Sequence, residues 1–498
     1  MESAEKYPDH VAIYYRDQSI TYKDLAKAVK ETAATFAAKG IQPGDRVLIF
    51  VPMSIDLYRS VLALFYMGAT AVFLDEWVSK KRMELCCKIA DCKAFIGIFK
   101  ARVFAFFSKE LKQIPIKLGT KYSKGTELDI YNANAEDTAL ITFTTGSTGT
   151  PKAAKRTHGF LREQFNALLE KIDPQPHDID MPVLPIVLLC NLGVGASSVI
   201  AEFKASKPDS LKPEKIVQQI QQLSINRITA SPFFIKVLAA HVKSLSANTV
   251  QLEKIFTGGA PVFPAEAQLY NEAFPTTRIE VVYGSTEAEP ISSIDTKALV
   301  LEKERMLEKG LKVGMPYHKI SIKIIGITDE IITCSDLNEL QKLEVEQGQP
   351  GEIIVAGNHV LKEYYNNQEA WKRNKIVVGD QIWHRTGDGG YLDEGFLYLL
   401  GRCSRVIESE QGNIFPFIVE NYLQSIENVQ IGTVLKVNDK VIVAIEPATV
   451  HNNEAVTQAI EKLNIRYSEI HYTKQIPRDP RHNSKIDYDK LLEQLLEE

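Results

Sequence analysis

Between Thr21 and Leu74 the chain alternates helical and strand-like patterns, and that alternation restricts its fold more than any other feature. Leu25, Val29, Ala33, Phe36 and Ala37 recur at helical spacing, with Thr21 and Asp24 near the start and Gly40 as the stop. Val47-Leu48-Ile49-Phe50-Val51 then forms a continuous apolar run of the kind found in strands covered on both faces. A second helix, roughly Ile55 to Met67 and ended by Gly68, precedes another such run at Ala71-Val72-Phe73-Leu74. Strand and helix in alternation predict a parallel sheet with helices on both faces, and Ile228–Ser231 and Lys254–Thr257 carry the pattern on. From Gly351 to Asp388 the text changes to short runs with tyrosines and Trp383-His384, predicting a small antiparallel subdomain. After Arg402, the strand Val441–Ile445 and a helix from Ala455 to Leu463 predict a further small domain. The 498 residues leave room for roughly three units of ordinary domain size.

Chemistry gathers first at Thr142 to Lys152, TFTTGSTGTPK. Ala139-Leu140-Ile141 leads in, and Leu161, Phe165, Leu168, Leu169 and Ile172 follow at helical spacing, so the stretch reads as strand, loop, helix. Gly146 and Gly149 can turn backbone N–H groups toward an anion, Thr144, Thr145, Ser147 and Thr148 offer hydroxyls, and Lys152 offers charge. Pro151 and Ala153 flank that lysine where the Walker form requires Gly and Ser/Thr, so this is not a P-loop. An ordinary Gly/Thr turn has the same composition.

Charge and cysteine content exclude several classes. A net charge of −5 gives no electrostatic case for nucleic acid or an anionic membrane as the main partner, while leaving room for a local basic patch. Six cysteines lack the CxxC pairing of zinc or dithiol sites and read as reduced, structural thiols. MESAEKYPDH has no apolar signal core, and no apolar run reaches the ~20 residues of a membrane span. A cytoplasmic protein without stable membrane insertion is expected.

Further downstream stand Gly258-Gly259-Ala260-Pro261, Val282-Tyr283-Gly284-Ser285-Thr286-Glu287, Trp383 through Asp388 with Gly401-Arg402, and Pro477-Arg478 through Asn483-Ser484-Lys485. In this order, with the Thr144–Lys152 loop, they resemble the adenylate-forming superfamily of acyl-CoA synthetases, nonribosomal adenylation domains and luciferases. The likeness covers essentially the whole chain. It implies an N-terminal AMP-binding domain over 1–402, built from parallel-sheet α/β subdomains and a small β-rich one. A small mobile α+β domain over 403–498 would carry the catalytic lysine. It implies ATP and Mg²⁺ as cofactors, a small carboxylic acid as substrate, and CoA or an acyl carrier protein as a candidate acceptor.

By the same resemblance, the loop Thr144, Thr145, Gly146, Ser147, Thr148, Gly149 and Lys152 holds the β- and γ-phosphates. Thr286 touches the α-phosphate, and Glu287 holds Mg²⁺, for which one carboxylate beside shared phosphates suffices. Asp388, assisted by Arg402, would take the ribose hydroxyls. Gly258, Gly259, Ala260, Tyr283 and Gly284 would make the adenine slot. Lys485 would bridge the attacking carboxylate and the α-phosphate, stabilising charge that develops in the transition state. Read alone, Glu287 could be a structural glutamate, Asp388 a turn aspartate and Lys485 a solvated surface lysine.

Three departures concern the second half of the reaction. The aromatic-His pair of many acyl-CoA ligases is replaced by Leu184-Pro185-Ile186-Val187-Leu188-Leu189-Cys190. Ser404 stands at the hinge position, where Asp or Lys is usual, and Glu408 stands in the loop that admits the pantetheine arm. Lys155–Phe160, Asp180–Gly195, Gly284–Ser293 and Gly387–Leu392 resemble the β-lactone synthetases of bacterial olefin biosynthesis. The apolar segment Val183–Leu189 suits either a greasy acyl chain or a core strand. The function expected is ATP-dependent activation of a fatty or β-hydroxy fatty acid to an acyl-adenylate, followed by transfer to a thiol. The alternatives are lactone closure and a nucleotide-binding scaffold without catalysis.

Overall fold

The computed structural model describes the chain except residues 75–79, 123–127, 146–150, 205–206, 246–248, 449–452, 464, 480–483 and 498. Its contacts divide it into two compact units, one of Met1–Ala230, Thr286–Glu289 and Gly357–Lys375, the other of Ser231–Ser285, Pro290–Ala356 and Ile376–Glu498.

The first unit contains a six-stranded sheet in which Arg46–Phe50 lies between Thr70–Phe73 and Ala94–Gly97, parallel to both. Alternate side chains enter different cores. Val47, Ile49, Ala71, Ala94, Ile96 and Leu140 join one cluster, and Leu48, Val72, Phe95 and Ile141 the other, as the period of two requires of a sheet covered on both faces. The helix Tyr22–Ala38 begins where Thr21 caps the Asp24 N–H and gives Leu25, Val29, Ala33 and Phe36 to the first cluster. The helix Ile55–Tyr66 is capped by Ser54. It stops before Gly68, whose φ is +75° and where a Cβ would meet the Tyr131 ring at 2.3 Å. In the same unit the strands Arg227–Ala230, Ile179–Pro182, Ser197–Ile200 and Val11–Tyr15 run parallel, with Gln18–Thr21 antiparallel at the end.

Two expectations are corrected here. Pro151–Thr157 is a strand antiparallel to Thr138–Thr145, so the chain from Thr142 to Lys152 joins two paired strands, and the helix, His158–Ile172, starts only after them. Seven residues with Ala153 and Ala154 fully buried are held by a sheet edge that short local patterns do not announce. Val183–Leu189 is not a strand: the strand ends at Pro182 and the helix Pro185–Val194 begins with Pro185 in its first turn, where a missing N–H costs nothing.

The second unit pairs Lys254–Gly258 with Arg278–Ser285 in parallel. It carries an antiparallel sheet of Ser321–Ile325, Gly351–Ala356, Gln381–Asp393, Phe396–Arg402 and Leu311–Pro316, which includes the expected β-rich segment. Residues beyond Arg402 build a three-stranded sheet of Val429–Val437, Lys440–Pro447 and Glu469–Tyr472, with helices Pro416–Gln424 and Tyr488–Glu497. Within it Glu420 is buried and accepts from Thr433 Oγ1 at 2.8 Å and from the Tyr488 hydroxyl; burial pushes its carboxyl up to about 7. The mixed α/β class is as expected. The cysteines are all free, four buried and two half-buried. No helix among the described residues is long and apolar enough to cross a membrane.

Candidate active site

In the first unit, the hairpin sets Thr144 opposite Lys152 and Thr145 opposite Pro151. Gly146, Ser147, Thr148 and Gly149 lie outside the described residues, as does the side chain of Thr145. Thr144 Oγ1 donates to Glu287 Oε1 at 3.4 Å, and the Tyr364 hydroxyl donates to the same oxygen at 3.1 Å. Glu287 is 7% exposed. Its backbone is fixed as well: Leu361 N donates to the Glu287 carbonyl at 2.7 Å, and Arg156 Nη2 to the Thr286 carbonyl at 3.1 Å.

Two lysines converge on the Tyr364 ring. Lys152 Nζ lies 5.9 Å from its centroid and donates to Asn374 Oδ1 at 2.8 Å. Lys375 Nζ lies 5.5 Å from it and donates to the Leu361 carbonyl. Both distances suit attraction between a cation and a ring face. Lys375 is 2% exposed. Burial pulls its ammonium from the ordinary 10.5 down to about 7, Glu287 pulling the other way and Lys152 adding to the fall. Burial, then the charge of Glu287, pushes the Tyr364 phenol well up, keeping it a donor.

The oxygen donors of Glu287 and Thr144 suit a hard cation such as Mg²⁺. Among the described residues no group of three or more His, Cys, Asp or Glu gathers to hold a metal. A cation here would therefore complete its shell with water and substrate phosphates.

In the second unit, the Tyr283 hydroxyl donates to Asp388 Oδ2 at 2.7 Å, and Arg402 Nη1 lies 3.1 Å from Asp388 Oδ1. The pair is placed by register, since Asp388 and Arg402 face each other across two adjacent strands. Gly387 at φ +69° and the bond from Asp388 N to Thr386 Oγ1, 3.0 Å, shape the bend before the carboxylate. Burial, then the neighbouring Asp388, pushes the Tyr283 phenol well above its ordinary range. Gly258 lies in register with Val282, and a Cβ on it would stand 2.5 Å from the Val282 carbonyl oxygen. Only glycine fits there, and half-buried Gly259 and Ala260 follow it as Gly284 follows Tyr283.

Lys485 is half-buried. Its N–H donates to Asp479 Oδ1 at 2.9 Å and its carbonyl accepts from Asp479 N at 2.8 Å, beside the antiparallel bridge of Arg478 with Ile486. Ser484 Oγ accepts from Phe233 N at 3.0 Å. Glu408 is exposed, opposite Asn413 in a small hairpin of Ile407–Ser409 and Gly412–Ile414. Ser404 lies in a 3₁₀ turn, Cys403–Arg405.

The structure thus gathers Thr144, Lys152, Thr286 and Glu287 in one unit, and Gly258, Tyr283, Asp388 and Arg402 in the other. Sequence reasoning missed Tyr364, Asn374 and Lys375. They sit in Gly357–Lys375, which returns to the first unit and bridges Val360 to Ala288. No local pattern in that segment signals the return.

Residues 1–365 match the model of the family described as AMP-binding enzyme. An olefin beta-lactone synthetase from Stenotrophomonas maltophilia is 28% identical over 465 residues, 86% of this chain and 82% of that protein. A 2-succinylbenzoate–CoA ligase from Bacillus licheniformis is 28% identical over 444 residues, 88% of this chain and 86% of that protein. Among solved structures, O-succinylbenzoate coenzyme A synthetase from Bacillus subtilis, in complex with ATP and magnesium ion, has a TM-score of 0.80 at 21% identity. The match covers 100% of this chain and 98% of that one.

Proposed function

The chain belongs to the AMP-binding enzyme family, and on that premise we propose that it activates a carboxylic acid, fatty or β-hydroxy fatty, with ATP to give an acyl-adenylate. One observation carries the reading: five consecutive residues bring Tyr283 to the Asp388 carboxylate and Glu287 to Thr144 on the phosphate-loop hairpin. The partner of a diol-binding carboxylate and a phosphate-side carboxylate on one short stretch suit a nucleotide.

In this reading the acid's carboxylate oxygen attacks the α-phosphorus, the bond to the bridging oxygen breaks, and pyrophosphate leaves. Lys152 and the hydroxyls of its hairpin neutralise the departing phosphates, and Thr286 holds the α-phosphate. Asp388 and Arg402 orient the ribose, while Gly258, Gly259, Ala260, Tyr283 and Gly284 admit the base. Lys485 neutralises charge on the attacking and α-phosphate oxygens as it develops. Mg²⁺, when held on Glu287, supplies Lewis-acid polarisation of phosphate oxygens. Residues 403–498 serve as the small mobile domain that presents Lys485, and the protein works in the cytoplasm.

The second step is transfer to a thiol, of CoA or of a carrier protein. Lactone closure by the acid's own β-hydroxyl is the second reading, favoured by the likeness to the olefin beta-lactone synthetase and by Glu408 in the acceptor loop. Exchange of labelled pyrophosphate into ATP, across fatty, hydroxy-fatty and aromatic acids, tests the first step. Acid-dependent exchange is expected, falling at least about a hundredfold in Lys485→Ala; silence across the panel refutes it. Mass spectrometry of products, with CoA or with a β-hydroxy acid alone, separates the two second steps.

A further inference from the structure

The helix Phe99–Ala105 is packed inside out. Its small residues, Ala101 and Ala105, face the core, and its large ones face solvent: Phe99 is 73% exposed and Phe104 38%, with Val103 beside them, and just past its end Phe106 is 64% and Phe107 73% exposed. These are the only strongly exposed phenylalanines among the described residues. Scattered exposed apolar side chains are ordinary, but five within nine residues form a patch.

The rim of this patch is basic. Residues 80–121 hold eleven Lys and Arg against three acids, Glu84, Asp91 and Glu110, in a chain whose net charge is −5. Lys80 Nζ donates to the Phe107 carbonyl at 3.2 Å, the Arg102 guanidinium lies 6.0 Å from the Phe99 ring centroid, and Lys100 and Lys109 are exposed. We propose that this surface seats the protein peripherally on an anionic phospholipid bilayer. Its phenylalanines would enter the headgroup–acyl boundary, and its lysines would meet lipid phosphates.

Two features choose this occupant. A second copy would set two basic rims against each other, whereas anionic headgroups complement them. A helix of seven residues is far too short to span, so the contact is interfacial. This goes beyond acid activation and uses none of the residues assigned to it.

The test is sedimentation of the full chain with vesicles of phosphatidylcholine alone, or with a third of the lipid replaced by phosphatidylglycerol. Binding to the anionic vesicles is expected, weakened by salt. It should fall about tenfold or more in the Phe106→Ser, Phe107→Ser double variant and in the Lys100→Glu, Lys109→Glu double variant. The second pair changes only exposed side chains, so it reports even where the first impairs folding. Pyrophosphate exchange without vesicles should be unchanged in both. No binding by the wild-type chain, or binding that ignores both variants, overturns the proposal. Equal binding to neutral vesicles overturns its electrostatic part. Self-association abolished by the phenylalanine variant assigns the patch to a second copy instead.

Discussion

Lys375→Met isolates the cost of keeping an amine buried beside the Glu287 carboxylate. In the folded chain Lys375 is buried and titrates at about 7; in the unfolded chain it titrates near its ordinary 10.5. From about pH 7 to 10.5 the unfolded state therefore holds a proton that the folded state has released, and stability rises with pH at up to about 1.4 kcal/mol per unit. The contribution is complete above 10.5 and is lost as pH falls through 7. Integrated from pH 7 to 9, the gain is about 2 kcal/mol, and over the whole shift about 5 kcal/mol. Methionine has similar length and no proton to exchange, so subtracting its unfolding free energy from that of the wild-type chain leaves the titration of Lys375 together with its coupling to Glu287 and Lys152. Urea unfolding of the metal-free protein followed by tryptophan fluorescence, at half-unit steps from pH 7 to 9, measures that difference. It should climb steadily by about 2 kcal/mol. A flat difference would refute the reasoning, since it would mean that the lysine titrates alike in both states.

Glu420→Gln tests the opposite sign. The folded carboxyl is raised from 4.5 to about 7, so its stability is fully present below pH 4.5 and is lost as pH rises to about 7. The amide, which can still accept from Thr433 and Tyr488, should be the more stable by about 3 kcal/mol at pH 8 and by nothing at pH 4, as read by chemical denaturation at both. Tyr364→Phe removes one donor to the Glu287 carboxylate, worth about 1.5–3 kcal/mol for a charged acceptor. It should raise the Mg²⁺ concentration for half-maximal pyrophosphate exchange about tenfold or more, and an unchanged Mg²⁺ dependence would count against Tyr364 as the positioning residue for that carboxylate.

The buried strands were legible because covered strands need unbroken apolar runs, and Val47 to Ile49 could hardly be anything else. Helix limits were legible where Thr21 caps and where Gly40 and Gly68 stop the chain. The hairpin strand Pro151–Thr157 was not, since the Ala153-Ala154 and Lys155-Arg156 pairs break any period of two and its pairing depends on a partner strand. The helix Pro185–Val194 was obscured for the opposite reason: apolar all round, it has no period to read. For the site, Thr144, Glu287 and Asp388 were named from motifs, while Tyr364 and Lys375 depend on a segment that returns from far along the chain. Only tertiary structure brings them to Glu287.

The antiparallel pairing of Thr144 with Lys152 has an evolutionary corollary. Because the ladder holds these two residues at a fixed separation, exchanging one strand residue for another leaves both in place. Losing a single residue from Pro151–Thr157 would do the reverse. It would turn each side chain to the opposite face, carrying Lys152 away from Asn374 and Tyr364 and bringing Ala153 into its place. Insertions and deletions in a lineage should therefore avoid the two paired strands, which should keep their count.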